Sequence, residues 1–214
     1  MFHPQPERFV TGAFVKVGFF HTDDDLLYHD ESHCDLFTQV TKTLDLLLTK
    51  YLKAGITYQG IQRMETFPVL EPAVREAVLN AIIHKDYASG TPIQISVYAE
   101  NLMIWNPGQL PPAWTVAKLL GKHSSQPFNP EIANVFFRAG EMEAWGRGIE
   151  PIFVSCREAG FPEPVIEYET SGLWVNFPFS EEIVSRTSGS AGDITNEAPP
   201  QTDKMYGKRL RSSQ

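Results

Sequence analysis

The stretch REAVLNAIIHKDY, residues 75–87, decides how this chain folds around its candidate site. Within it Glu76, Asn80 and His84 recur at every fourth position, and the positions between them are mostly apolar. Residues four apart lie on the same face of an α-helix. The pattern therefore predicts a helix with one polar stripe on an otherwise apolar surface. Pro72 marks its start, because the first helical turn tolerates a residue without a backbone N–H.

The polar stripe suits metal-assisted chemistry, although a plain surface stripe has the same pattern. An Asn side-chain oxygen ligates hard cations such as Mg²⁺, and a carboxylate one turn away orients or deprotonates a neighbouring water. Asn80 and Glu76 have the spacing for those two roles. Polar residues at helical spacing also occur wherever one face of a helix meets water, so both interpretations stay open here.

The composition indicates a globular domain whose overall charge does not attract nucleic acid. Of its 214 residues, 42% are hydrophobic and 21% are charged, which is ordinary for a domain with a core. The net charge of −8 argues against phosphate-backbone binding, which needs a concentrated basic surface. Cys34 and Cys156 lack metal-ligand spacing, and the sequence shows neither a signal peptide nor a membrane-length apolar run. We therefore expect a cytoplasmic protein without membrane contact, which reaches DNA only through other domains or chains.

Strand and helix patterns alternate along the chain and predict an α/β fold. The first half is expected to contain a strand pair over residues 11–30, a helix of about 20 residues ending near Gly55, one strand with a turn, and the polar-stripe helix. The second half is expected to contain a hairpin over 92–108, a short helix, a helix opened by Asn129 and Pro130, a helix over about 149–159 and a hairpin over 164–179. This order predicts a two-layer α/β sandwich, in which helices cover one face of a mixed sheet.

The same patterns divide the chain into three segments. Residues 1–65 supply N-terminal strands and a helix that lead into the core, and residues 66–180 contain the polar-stripe helix and both later hairpins. Residues 181–214 are rich in Ser, Thr, Gly, Pro and acidic residues, so we expect them to be disordered. The basic residues within 204–211 either touch nucleic acid or remain solvated.

Gly146, Arg147 and Gly148 precede a predicted helix and suit a phosphate. Glycines let a ligand approach the backbone, and a helix N-terminus offers free N–H groups to an anion. A sharp turn into a core helix would need the same residues. Arg147 either contacts phosphate or pairs on the surface with Glu143 or Glu150.

The run NPGQL places Asn106, Gly108 and Leu110 just after a predicted strand. Its amide and its flexible glycine suit a heterocyclic base, although Asn-Pro and Pro-Gly form turns in any protein. His84 either closes the phosphate end of a pocket or is a hydrogen-bonded helix residue. Lys85 is either a further phosphate contact or a solvated charge at the helix end.

Taken together, the three motifs resemble the GHKL ATPases, which share the Bergerat fold of gyrase, MutL, the heat-shock chaperone and sensor histidine kinases. The resemblance is closer to the ATP-binding region of RecG-like or Schlafen-like (Alba-type) transcriptional regulators, and it covers about residues 7–180. In it, Glu76 and Asn80 fall on the N box, which holds a water-orienting acid and a Mg²⁺-ligating Asn. The run from Asn106 falls on the first glycine box, and Gly146–Gly148 falls on the second.

The resemblance implies an ATP-binding module that uses Mg²⁺. ATP would lie between the Glu76 helix and the Gly146–Gly148 turn under a lid formed by residues 113–128, with slow hydrolysis that uses Glu76 as base and with a homodimer as a further expectation. The wider superfamily binds the adenine amino group with an Asp, whereas this chain has Asn106, whose amide oxygen also accepts a hydrogen bond. The alternative is a degenerate interaction or dimerisation domain of a DNA-binding regulator that binds no nucleotide.

Overall fold

The computed structural model describes residues 1–121, 123–124, 126–142 and 149–189. Its strands are β1 Val15–Thr22, β2 Asp25–Ser32, β3 Gly55–Gln59, β4 Gln62–Thr66, β5 Ile93–Val97, β6 Asn101–Asn106, β7 Val165–Glu169 and β8 Gly172–Pro178. Its helices are α1 Leu36–Leu46, continued by a π-helical turn at Leu47–Tyr51, α2 Glu71–His84, α3 Val116–Leu120, α4 Pro130–Arg138, α5 Glu150–Glu158 and α6 Glu181–Gly189. Short 3₁₀ turns occur at Pro6–Arg8 and Tyr87–Ser89.

Six strands form one mixed sheet in the order β2-β1-β5-β6-β8-β7. β1 runs parallel to β5, and the other neighbouring strands are antiparallel. α1 packs against α2 and against the first two strands, while α2 also packs against α5 and β6. The predicted two-layer α/β sandwich with a mixed sheet is confirmed.

α2 is the central helix of the layer that packs on the sheet. Its buried residues are Ala73, Val74, Ala77, Val78, Leu79, Ala81, Ile82 and Ile83. A helix buried on most of its circumference has to be apolar almost all round, and this helix keeps only a narrow polar stripe. Glu76, Asn80 and His84 on that stripe are partly buried, so the stripe does not face open water.

Residues 55–66 form a hairpin, although the sequence predicts one strand followed by a turn. β3 and β4 pair as a separate two-stranded sheet, and Gly60 closes the turn with a φ of +64°. β4 contains no buried residue, so it has no core-facing alternation that would mark it in the sequence. The boundary predicted at residue 65 falls within β4, and strands from both sides of it share the six-stranded sheet.

The prediction that disorder begins at residue 181 is wrong for its first nine residues, because these residues form α6. Ile183 on this helix is buried, and the helix packs against β3. Glu181 and Glu182 lie in the first turn, where acidic side chains favour a helix N-terminus. The low-complexity composition of the whole tail concealed this short segment. Residues 190–214 lie outside the described residues.

In the part of the chain that the structure describes, no helix is long and apolar enough to cross a membrane.

Candidate functional site

A cavity of about 520 Å³ lies between α2, the ends of β6 and β8, and the segment that follows β6. Its wall is formed by Ala77, Asn80, Ala81, His84, Ile104, Asn106, Gly108, Gln109, Leu110, Pro111, Pro112, Trp114, Leu119, His123, Gln126, Pro127, Phe128, Ile149, Ile152, Tyr168, Leu173 and Val175. Five of the residues that the sequence singles out, Asn80, His84, Asn106, Gly108 and Leu110, therefore share one wall. Mostly apolar walls with a few polar groups are typical of small-molecule sites.

One face of α2 forms part of this wall. Ala77, Asn80, Ala81 and His84 are spaced by three and four residues, so they lie along a single helix face. The two alanines leave space in front of the helix, and the two polar residues border that space. The surface-stripe interpretation is therefore wrong for Asn80 and His84, which line the cavity.

Glu76 holds the side chain of Asn80 in a defined orientation. Asn80 Nδ2 donates to Glu76 Oε1 across one helical turn, at 3.2 Å. A carboxylate only accepts hydrogen bonds, so the amide nitrogen faces Glu76 and Oδ1 is left to accept from a ligand or bind a cation. Glu76 itself is not part of the cavity wall.

His84 is neutral at physiological pH. Burial, with a smaller contribution from the nearby His123, lowers the pKa of His84 to about 4. A neutral imidazole offers one donor and one acceptor, with no net charge. His84 can therefore hydrogen-bond a ligand but does not act as a cationic partner for phosphate.

Asn106 is the most deeply buried polar residue of the wall. Its side chain is 5% exposed, and among the described residues its Oδ1 has no hydrogen-bond partner. The residue ends β6 and pairs with Leu173 of β8, which also lines the cavity. A buried acceptor without a partner costs about 1–3 kcal/mol, which a ligand donor would offset.

The turn after Asn106 is fastened to the C-terminal end of α2. Asp86 N–H donates to the Pro107 carbonyl at 2.6 Å. A Cβ at Gly108 would lie 2.7 Å from the His84 carbonyl oxygen, which is closer than real Cβ atoms approach. Gly108 is therefore required for this close packing of two backbone segments.

Asn129 ties the start of α4 to the same end of α2. Its Nδ2 donates to the carbonyls of Ile83 and Lys85, both at 2.8 Å. The last carbonyls of a helix have no intrahelical partner, and Asn129 satisfies two of these from another element. Although it is the N-cap residue of α4, its side chain does not cap that helix.

Both sequence interpretations of Lys85 differ from its position in the structure. The residue is 1% exposed, and it does not line the cavity. Its Nζ donates to the Asp86 carbonyl at 3.2 Å and lies 4.7 Å from the centre of the Tyr87 ring. Burial lowers the pKa of Lys85 to about 8, while Asp86 opposes that shift. The solvated helix-end interpretation is wrong.

Described residues of the segment predicted as a lid, 113–128, form one side of the cavity. His123 lies edge-on to Trp114 with 4.7 Å between ring centres, and Lys118 Nζ lies 5.2 Å from the Trp114 ring. The sequence assigns no tryptophan to the ligand, yet Trp114 borders the cavity.

The second glycine motif, Gly146, Arg147 and Gly148, lies outside the described residues. On its C-terminal side, Ile149 and Ile152 border the cavity. On its N-terminal side, Glu141 accepts a hydrogen bond from Arg75 of α2, so both ends of this segment lie against the layer that contains α2.

The sequence misses the apolar part of the wall. Ile104 of β6 and Tyr168, Leu173 and Val175 of the last hairpin come together through strand pairing. Their residue types are those of any strand, so only the order of strands in the sheet could have identified them.

A segment of the chain is similar to an ATPase-like family. A family model described as "Putative ATP-dependent DNA helicase recG C-terminal" matches residues 90–177. The match includes Asn106 and Gly108 but begins after α2, so the polar stripe lies outside it. No match was found among curated proteins.

The fold is also similar to a solved structure, the crystal structure of the DIP2311 protein from Corynebacterium diphtheriae. The TM-score is 0.67 at 20% sequence identity, and the similarity covers 77% of this chain and 34% of that chain. The chain thus corresponds to about one third of that protein. At this identity the similarity concerns the fold alone.

Proposed function

We propose that this chain is a nucleotide-binding module that takes up ATP with Mg²⁺ in the cavity beside α2. The observation that carries the proposal is the buried Asn106, whose Oδ1 lacks a hydrogen-bond partner among the described residues. The amino group of adenine would supply that partner. The similarity of residues 90–177 to an ATPase-like family supports the same class of ligand.

The two halves of the wall suit the two halves of a nucleotide. Ile104, Leu173 and Val175 surround the Asn106 end with apolar surface, which suits a base that needs few but specific hydrogen bonds. His84 lies towards that same end, because the turn at Gly108 contacts both its carbonyl and Asn106 Nδ2. Asn80, one helical turn farther along α2, would face the phosphates, and Gly146–Gly148 would add backbone donors to them.

The residues of α2 fit a Mg²⁺ ion that arrives with the nucleotide. Mg²⁺ binds through one or two protein oxygens and completes its shell with water and phosphate oxygens. Asn80 offers Oδ1, because its Nδ2 is engaged by Glu76. Among the described residues there is no cluster of three His, Cys, Asp or Glu that would form a protein cage for a metal. Bound at Asn80, the ion would neutralise part of the phosphate charge.

Glu76 would orient a water for slow hydrolysis, in addition to holding Asn80. Nucleotide binding would shift residues 113–128 and a homodimer or domain interface, which is a population shift rather than fast turnover. The module would serve a cytoplasmic transcriptional regulator that reaches DNA through other domains or chains.

Calorimetric titration of ATP with Mg²⁺ into the wild type and into Asn80→Ala tests the proposal. We expect saturable binding by the wild type and at least tenfold weaker binding by Asn80→Ala, because a metal ligand is lost. In EDTA the two proteins should bind ATP equally weakly, since Asn80 then has no ion to hold. Asn134→Ala is the matched control, because Asn134 is an exposed asparagine on α4.

Two results would contradict the proposal. If the wild type gives no heat at millimolar ATP, the non-binding interaction domain is the better description. If Asn80→Ala binds as tightly as the wild type in Mg²⁺, the ion is not held at α2. Glu76→Gln then tests hydrolysis separately, because it should slow phosphate release without removing the hydrogen-bond partner of Asn80.

A further inference from the structure

Three asparagines near the cavity differ in how their side chains are held. Asn80 donates its Nδ2 to Glu76, and Asn129 donates its Nδ2 to two backbone carbonyls. These bonds decide which end of each carboxamide is nitrogen and which is oxygen. Asn106 has no side-chain hydrogen bond of this kind within the described residues, and its Oδ1 is buried without a partner.

The orientation of the Asn106 carboxamide is therefore left to the ligand. A half-turn about χ2 exchanges the oxygen and nitrogen positions, and this terminal torsion has two comparable minima. No described protein group hydrogen-bonds either atom, so no hydrogen bond to the described protein fixes one orientation. A bound group with a donor and an acceptor side by side would select one of them.

Gly108 keeps the nitrogen side of Asn106 open to such a ligand. A Cβ at Gly108 would lie only 3.2 Å from Asn106 Nδ2, so any larger residue would crowd that atom. Gly108 and Asn106 both border the cavity. The glycine thus leaves room for a partner beside Nδ2 of the carboxamide.

We propose that Asn106 makes the cavity a purine site that accepts 6-oxo as well as 6-amino bases, an inference that rests on the proposed nucleotide function. Against adenine, Oδ1 accepts from the 6-amino group and Nδ2 donates to N1. Against hypoxanthine, the carboxamide turns over, so that Nδ2 donates to O6 and Oδ1 accepts from N1–H. Two hydrogen bonds form in each case.

A carboxylate at the same place would satisfy neither base fully. It has no donor, so one oxygen accepts from the 6-amino group of adenine or from N1–H of hypoxanthine, while the other oxygen opposes the second acceptor, which is N1 in adenine and O6 in hypoxanthine. The neighbours of Asn106 in the wall, Ile104 and Leu173, are apolar, so water cannot readily bridge the mismatched pair. A side chain with one donor and one acceptor satisfies either base in full, and Asn106 supplies that pair.

Calorimetric titration of ATP, inosine triphosphate and UTP, each with Mg²⁺, tests this inference on the full chain. For the wild type we expect dissociation constants for ATP and inosine triphosphate within about threefold of each other, and much weaker binding of UTP. Asn106→Asp, measured at pH 8 so that the carboxylate is ionised, should change the affinities for ATP and inosine triphosphate by similar factors, because it meets one donor and one acceptor on either base. Asn106→Leu should weaken both purines by the same factor.

The outcomes separate this inference from the proposed function. If the wild type binds ATP but binds inosine triphosphate at least tenfold more weakly, the purine inference is wrong and the ATP module stands. If Asn106→Leu leaves the affinities for both purine nucleotides unchanged, Asn106 does not read the base. If no nucleotide binds, both proposals fall. The wild-type comparison decides the matter even if neither variant folds.

Discussion

Replacing Asn129 by Asp should destabilise the protein more than replacing it by Ala. At an ordinary N-cap, Asp is as good as Asn and much better than Ala. Here the Asn129 side chain turns away from its own helix and donates to two carbonyls at the C-terminal end of α2, those of Ile83 and of the C-cap residue Lys85. A carboxylate cannot donate, so it would place a negative charge against two carbonyl oxygens.

The magnitude follows from the two bonds that are lost. Each 2.8 Å hydrogen bond contributes about 1 kcal/mol net, so Asn129→Ala should cost about 2 kcal/mol. For a chain of this length that lowers the melting temperature by about 4–8 °C. Asn129→Asp adds repulsion between the carboxylate and the two carbonyls, for a total of about 3 kcal/mol or more. Its deficit should shrink at pH 4, where the protonated acid regains one donor.

Urea and thermal unfolding followed by circular dichroism provide the assay. Asn134→Asp is the matched control, since Asn134 is exposed on the same helix and accepts from Arg138. It should change stability by no more than about 0.5 kcal/mol. If Asn129→Asp were as stable as the wild type while Asn129→Ala was destabilised, the side chain would be an ordinary N-cap and the tie to α2 would be refuted.

Three further predictions concern the same end of the fold and the first sheet edge. Gly108→Ala should lower the free energy of unfolding by about 1–3 kcal/mol, because its Cβ would overlap the His84 carbonyl. Gly121→Ala, whose Cβ would make only ordinary contacts, should be nearly neutral. Equal urea midpoints for the two variants would refute the close packing at Gly108. His84 has a pKa of about 4 in the folded protein, below its value in the unfolded chain. Its contribution to stability is therefore present above about pH 6.5 and is lost as the pH falls towards 4. His84→Gln should flatten the fall of the unfolding free energy between about pH 6.5 and pH 4, and an unchanged slope would contradict this account of His84. Tyr51→Phe should lower the free energy of unfolding by about 1–2 kcal/mol, because the hydroxyl lies 2.9 Å from the Val17 carbonyl and 2.7 Å from Asp30. In the same variant, NMR titration should show that the pKa of Asp30 rises but stays below its usual value, since Lys50 is the larger cause of its shift.

Sequence patterns predict the fold wherever one element buries one face. α1 follows its apolar repeat, α2 begins at the predicted proline, and the hairpins that end at Asn106 and Pro178 follow their turn signals. The pattern fails for β4 and for α6. β4 buries no residue, and α6 attaches to the fold through few residues, of which Ile183 is one, so neither has a strong periodic signal.

Some residues of the candidate site are predictable from local sequence patterns, whereas others depend on contacts between distant parts of the chain. Asn80 and His84 follow from spacing within one helix, and Asn106 with Gly108 follows from a turn motif. The apolar wall depends on β6 pairing with β8, a contact between residues about 70 positions apart, which no local pattern predicts. Lys85 is misjudged for a related reason, because its burial against Asp86 and Tyr87 depends on how the chain turns after α2.

The hydrogen bonds around the cavity indicate which part of its wall is fixed before a ligand binds. The C-terminal end of α2 is held by Asn129 and by the bond between Asp86 and Pro107, so two other segments are fastened to it. Within the described part of residues 111–128, the hydrogen bonds join residues of that same segment, as between Thr115 and Lys118. A ligand can therefore move the described part of this segment without breaking a hydrogen bond to the rest of the described fold. The base would meet a fixed wall and the covering segment would adapt to it, so selectivity should reside at Asn106, whereas residues 111–128 should mainly affect how fast the nucleotide is released.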